Sequence, residues 1–87
     1  MASYELRFKK SVAKDLRSFQ KQDIKRILQR IRTLADDPRP PGCEKLSGQE
    51  RYRVRQGSYR IIYEIEDAHL TVLVVKVAHR REVYRSN

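Results

Sequence analysis

The clearest periodic signal in the chain runs through residues 24–35, where Ile24, Ile27, Leu28, Ile31, Leu34 and Ala35 form one apolar stripe at helical spacing. Lys25, Arg26, Gln29, Arg30 and Arg32 fall outside that stripe, so the pattern predicts an amphipathic helix with a basic outer face. The helix must stop near "DDPRPPG", because Pro38, Pro40 and Pro41 remove backbone donors and disfavour helical geometry in the residues before them. Val12, Leu16 and Phe19 repeat the same period within residues 9–19, which predicts a shorter preceding helix and hence an αα-hairpin. Ahead of both, "YELRF" (4–8) alternates and reads as a strand.

From residue 43 the period changes to two. "CEKL" is a weak strand, and "RYRVRQ", "YRIIYEIE" and "HLTVLVVKVA" are stronger ones, separated by Gly57-Ser58 and by Asp67-Ala68. Gly-Ser suits a two-residue hairpin loop. The closing segment "REVYRSN" is expected to add a helical turn. The order β-α-α-β-β-β-β predicts an α+β fold, with two N-terminal helices packed on one face of a mainly antiparallel sheet and residues 1–87 forming one small domain.

If both hairpin loops hold two residues, Gln56 lies opposite Tyr59 and Glu66 opposite His69. Tyr52, Val54, Ile61, Tyr63, Ile65, Leu70, Val72 and Val74 then share the face that receives the helices. Arg51, Arg53, Arg55 and Arg60 share the other face with Ile62, Leu73, Val75 and Val77. Arg51 opposes Glu64, a plausible ion pair, but Arg55 sits directly across from Arg60 with Arg53 two residues along. Like charges so placed are destabilising, and more so where neighbouring apolar side chains lower the local dielectric. A bound anion removes the conflict, and guanidinium groups match phosphate oxygens through paired hydrogen bonds.

Composition sharpens this picture. The 87 residues are 39% hydrophobic and 36% charged, as in a globular domain with one modest core. The net charge of +9 favours a polyanionic partner, although the basic residues are spread over both halves of the chain and do not by themselves locate a site. The single cysteine, Cys43, excludes an internal disulfide, and no Cys/His spacing suggests a metal site or another cofactor. The opening "MASYELRFKK" lacks the apolar stretch of a secretion signal, and the apolar run at 70–75 is too short to span a bilayer. The expectation is a cytoplasmic protein with no membrane partner.

The segment after the last strand adds chemistry to charge. "VAHRREVYR" is expected to set His79, Arg80, Arg81 and Tyr84 beside the end of that strand, beyond the edge of the arginine face. Tyr84 can stack on a base or approach a ribose hydroxyl, or else close the core under a short helix. An imidazole can change charge near neutrality, but a lone histidine such as His79 is more often a structural hydrogen-bonder. His69 is expected to be exposed.

These stretches, "KLSG", "YRVRQGSYRIIYEIED" and above all "VAHRREVYR", resemble the RelE/ParE superfamily of toxins from type II toxin-antitoxin systems, and within it the RelE branch. The resemblance covers nearly the whole chain. It implies a ribosome-dependent endonuclease that cuts mRNA, silenced by a RelB-like antitoxin, with operator DNA contacted only through the antitoxin complex. By position it assigns catalytic roles to Arg53, Arg55, Arg60, Arg80 and Tyr84; Arg51, Arg81, His79 and Arg30 are then expected to bind RNA. The first two catalytic positions are lysines in well-known members. Arginines there preserve charge, but with a pKa above about 12 they are poor proton shuttles.

Metal-free RNA cleavage by 2′-hydroxyl attack needs a base, an acid for the leaving 5′-oxygen and cationic donors for the phosphorane. The arginines supply the donors. Tyr84, with a reference pKa of about 10, is a weak base unless neighbouring cations favour its phenolate. A site so short of acid–base groups should be slow alone and should rely on the ribosome to hold RNA in line. Two other functions remain in view: a ParE-like gyrase poison with the same fold and no nuclease site, against which the strand arginines and terminal tyrosine count, and a non-catalytic RNA-binding module, for which basic charge alone would suffice.

Overall fold

The computed structural model describes residues 3–46 and 50–80. β1 (Glu5–Phe8) leads into α1 (Lys10–Arg17) and α2 (Lys21–Asp36). β2 (Glu44–Lys45), β3 (Arg51–Gln56) and β4 (Tyr59–Glu66) follow, then a 3₁₀ turn (Asp67–His69) and β5 (Thr71–His79). The sheet order is β1-β5-β4-β3-β2, with β1 parallel to β5 and every other pair antiparallel. This is the expected α+β arrangement. The expected helical turn in "REVYRSN" lies outside the described residues.

The periodicities explain the packing. Val12 of α1 and Ile27, Ile31 and Leu34 of α2 are buried against Tyr52, Val54, Ile61, Tyr63, Ile65, Val72, Val74 and Val77 of the sheet. Neither helix has a side-chain N-cap bond, so their stability comes mainly from this buried face. The prolines end α2 as expected, and the Tyr63 hydroxyl donates 2.6 Å to the Pro38 carbonyl beneath the turn. Burial pushes the Tyr63 phenol well above its ordinary pKa. At the free edge of β5, beyond the last β1 pair Phe8–Val74, the Val77 amide donates 3.2 Å to the Asp15 carboxylate of α1.

The first hairpin has the expected register, with Gln56 opposite Tyr59, Arg55 opposite Arg60 and Arg51 opposite Glu64. Gly57 takes a positive φ of 59°, which its missing Cβ permits. The second connection differs from expectation. Asp67–His69 form a 3₁₀ turn and Leu70 adopts a left-handed conformation, so Glu66 pairs with Thr71 instead of His69 and Leu70 is 42% exposed instead of core-facing. Asp67 holds the turn in place, accepting from the Tyr4 hydroxyl and from both terminal nitrogens of Arg39.

A second departure matters for function. Between Ile62 and Tyr63 the β4–β5 register slips, from Tyr63–Val74 to Ile62–Lys76, so that β5 carries one extra residue. A bulge of this kind exchanges the two faces for everything beyond it. Val77, expected beside the arginines, is therefore in the core opposite Ile61.

Candidate nucleic-acid interface

The four strand arginines differ in how they are held. Arg51, at one end of β3, is paired with Glu64 across the ladder, Nε to carboxylate 2.8 Å. Arg53 is bound by Glu44 of β2 at 2.9 Å, and its buried Nε has no hydrogen-bond partner among the described residues. Arg55 is exposed and Arg60, on the central strand β4, is only 8% exposed. The two are direct cross-strand partners.

Arg80 joins them. Its backbone amide donates 2.7 Å to the Ser58 carbonyl, which ties the end of β5 to the β3–β4 turn. Arg55, Arg60 and Arg80, with Gly57, Ser58 and Tyr59, line one open depression of about 160 Å³. The bulge makes this possible: once the faces exchange, Ala78 lies opposite Arg60 and Arg80 follows two residues later on the same side.

Glu44 was not anticipated from sequence. Its carboxyl is held below the usual range, first by the hydrogen bond from Arg53, then by the charge of Arg53 and more weakly by those of Arg55 and Arg60. It therefore interacts with three of the arginines, Arg53 most strongly. The only signal available was the weak strand "CEKL", whose register against β3 is set across a connection with no diagnostic turn.

The remaining expected residues are distributed otherwise. His79 pairs with Tyr59 and lies edge-on to its ring at 5.2 Å, on the helix side of the sheet and away from the arginine face. The bulge is the reason. Arg30 is half-buried on the helix side too, close enough to Tyr63 that its charge partly offsets the rise in that phenol's pKa, and it is not brought to the arginine depression. Arg81 and Tyr84 lie outside the described residues. Among the described residues no group of three or more His, Cys, Asp and Glu side chains gathers as a metal site, and no helix is long and apolar enough to cross a membrane.

The site can therefore offer several convergent guanidinium donors to one anionic group, with little acid–base chemistry in the described residues. Comparison with known proteins gives this geometry a family. A model for the ParE toxin of type II toxin-antitoxin systems matches residues 6–84. Toxin RelG of Mycobacterium tuberculosis is 44% identical over 34 residues, a match that spans 39% of either chain. Among solved structures, the archaeal RelE–RelB complex of Pyrococcus horikoshii contains a chain 30% identical to this one at a TM-score of 0.80, over 90% of this chain and 96% of that one. The RelBE2 toxin–antitoxin complex of Mycobacterium tuberculosis gives 26% identity and a TM-score of 0.83 over 92% and 94%. From the match over residues 6–84 and these near-complete overlaps, the chain belongs to the RelE/ParE superfamily, the toxins of type II toxin-antitoxin systems.

Proposed function

We propose that the protein is an endoribonuclease of the RelE branch that cuts mRNA on the ribosome and is silenced by an acidic, RelB-like antitoxin. The observation that carries this reading is the meeting of Arg55, Arg60 and Arg80 in one open depression, with Arg60 and Arg55 directly opposed. Convergent guanidinium groups call for a ligand whose several anionic oxygens can accept their paired hydrogen bonds. A phosphodiester answers that need, and the charge that builds on its oxygens during cleavage strengthens the contact where catalysis requires it. The 2′-hydroxyl gives its proton to solvent as its oxygen attacks phosphorus, and the 5′-oxygen takes a proton from solvent as its bond to phosphorus breaks, leaving a 2′,3′-cyclic phosphate and a 5′-hydroxyl. Guanidinium groups stabilise the phosphorane but are poor proton carriers, so alignment by the ribosome supplies what the side chains do not.

The name of the matching family model favours a second reading, a gyrase poison. That reading gives the convergent arginines no task. The net charge of +9 and the complexes in which the similar toxins were solved support the antitoxin. The purified protein should leave free message nearly intact, cut message on translating ribosomes at codon-defined positions, and leave DNA supercoiling by gyrase unchanged. Rapid cleavage of free RNA would overturn the ribosome dependence, and gyrase inhibition without cleavage would favour the second reading.

A further inference from the structure

On the opposite side of the β3–β4 turn from the arginine depression lies a second, larger cavity of about 260 Å³. It is lined by Asp23 and Arg26 from the start of α2, by the turn residues Gln56 to Tyr59, and by His79 from the end of β5. The two cavities share Gly57, Ser58 and Tyr59, so that only the turn divides them. Their chemistry differs. The arginine depression suits an anion, whereas this cavity sets a carboxylate beside a guanidinium, an amide and an imidazole.

The carboxylate is held in place. The Tyr59 hydroxyl donates 2.9 Å to Asp23 Oδ2, and the Tyr59 ring is itself fixed by Phe19 at 4.6 Å and His79 at 5.2 Å. A carboxylate beside the path of a bound RNA backbone repels phosphate. It accepts well, however, from the exocyclic amino group of a base. The small residues Gly57 and Ser58 leave the turn low, and a Cβ added at Gly57 would meet nothing within 4 Å. A chain bound on one side can thus pass over the turn and place its next base on the other.

We infer that this cavity receives the base of a nucleotide flanking the scissile phosphate, and that Asp23 selects bases carrying an exocyclic amino group over uracil. The inference rests on the nuclease reading for its orientation, but the cavity's preference among bases stands independently of cleavage. Asp23 is part-buried and its Oδ2 already accepts from the Tyr59 hydroxyl, so the selection comes from the base edge: an amino group donates to the carboxylate, where the carbonyl oxygen that uracil presents at the same place is repelled by it.

Two measurements test it. The first compares cut sites made by the wild type and by Asp23→Asn in one pool of messages on translating ribosomes. Asn keeps an acceptor for Tyr59 and adds a donor, so the selection against uracil should fall by about tenfold or more at one codon position and stay unchanged at the others. An unchanged profile, or a uniform loss over all codons, would overturn the inference while leaving the nuclease reading intact. The second titrates the wild-type protein with AMP, CMP, GMP, UMP and inorganic phosphate, following the His79 imidazole by NMR. The three amino-bearing nucleotides should shift it at lower concentration than UMP or phosphate. Equal responses to all five would contradict base selection. The preference without any message cleavage would retain the cavity's role and reject the nuclease reading.

Discussion

Glu44 shows how a single residue tempers the arginine face. Bound to Arg53 at 2.9 Å, it is half-exposed and competes with any RNA phosphate for the same guanidinium. As an exposed pair it adds little to stability. Its effect on the local potential is larger, since its carboxyl also feels Arg55 and Arg60. Glu44→Gln should therefore tighten RNA binding and steepen its loss with added salt, while the urea midpoint moves little. Filter binding of a short single-stranded RNA at several salt concentrations measures this, and a weaker complex would show that Glu44 positions Arg53 productively. The shared face of Arg53, Arg55 and Arg60 and the Arg51–Glu64 pair are legible in the sequence because alternation and one tight turn set them. Glu44 is not, because a two-residue strand carries almost no period.

Among the elements, β5 decides which residues reach which face. The expected alternation placed Val77 and His79 with the arginines, and one extra residue in β5 moves both to the helix side while bringing Arg80 round to Arg60. A bulge leaves no reliable mark in a continuous apolar run such as "LTVLVVKVA", so the side taken by Val77 and His79 was not legible in sequence, although Arg80 was expected near the arginines. Beyond the bulge, Asp15 of α1 holds the strand edge through the Val77 amide. Asp15→Ala leaves that part-buried donor without its acceptor and should cost about 1–3 kcal/mol in urea unfolding. Asp15→Asn, whose amide oxygen still accepts, should cost clearly less; equal losses would mean that charge, not the hydrogen bond, matters there.

The 3₁₀ turn before β5 stands where a two-residue loop is expected, since its conformation depends on Tyr4 and Arg39, remote in the chain. The Arg39 guanidinium, followed by the Tyr4 hydroxyl, holds the Asp67 carboxyl below its ordinary pKa. A depressed folded-state pKa contributes stability that is fully present above the unfolded value of about 3.9 and is lost as pH falls through the folded value. The difference in urea midpoint between wild type and Asp67→Asn should be constant above about pH 5 and shrink in more acid solution. A difference that grew on acidification would reverse the sign and remove the proposed anchor.

For the whole molecule, the layers have separate tasks. One face of the sheet receives the helices and makes the core; the other carries arginines that are held apart or paired along about 13 Å of β3 and converge near the β3–β4 turn. The layer order, and the division of faces in β3, β4 and β5 as far as the bulge, were legible from two periodicities, 3.6 and 2. Exposed cations on α2 such as Lys25 lie away from that convergence and serve general attraction to polyanions. Binding and catalysis should accordingly separate by residue. Single-turnover cleavage of message on translating ribosomes, measured at saturating toxin alongside ribosome affinity, tests this most directly. Arg60→Ala, with its folding checked by urea midpoint, should slow cleavage by about 10²-fold or more, the scale of losing one transition-state donor, at nearly unchanged affinity. Lys25→Ala should weaken binding and leave the bound rate near that of the wild type. If Arg60→Ala cut at the wild-type rate, or if both variants changed affinity and rate alike, the arginine depression would be only a basic surface.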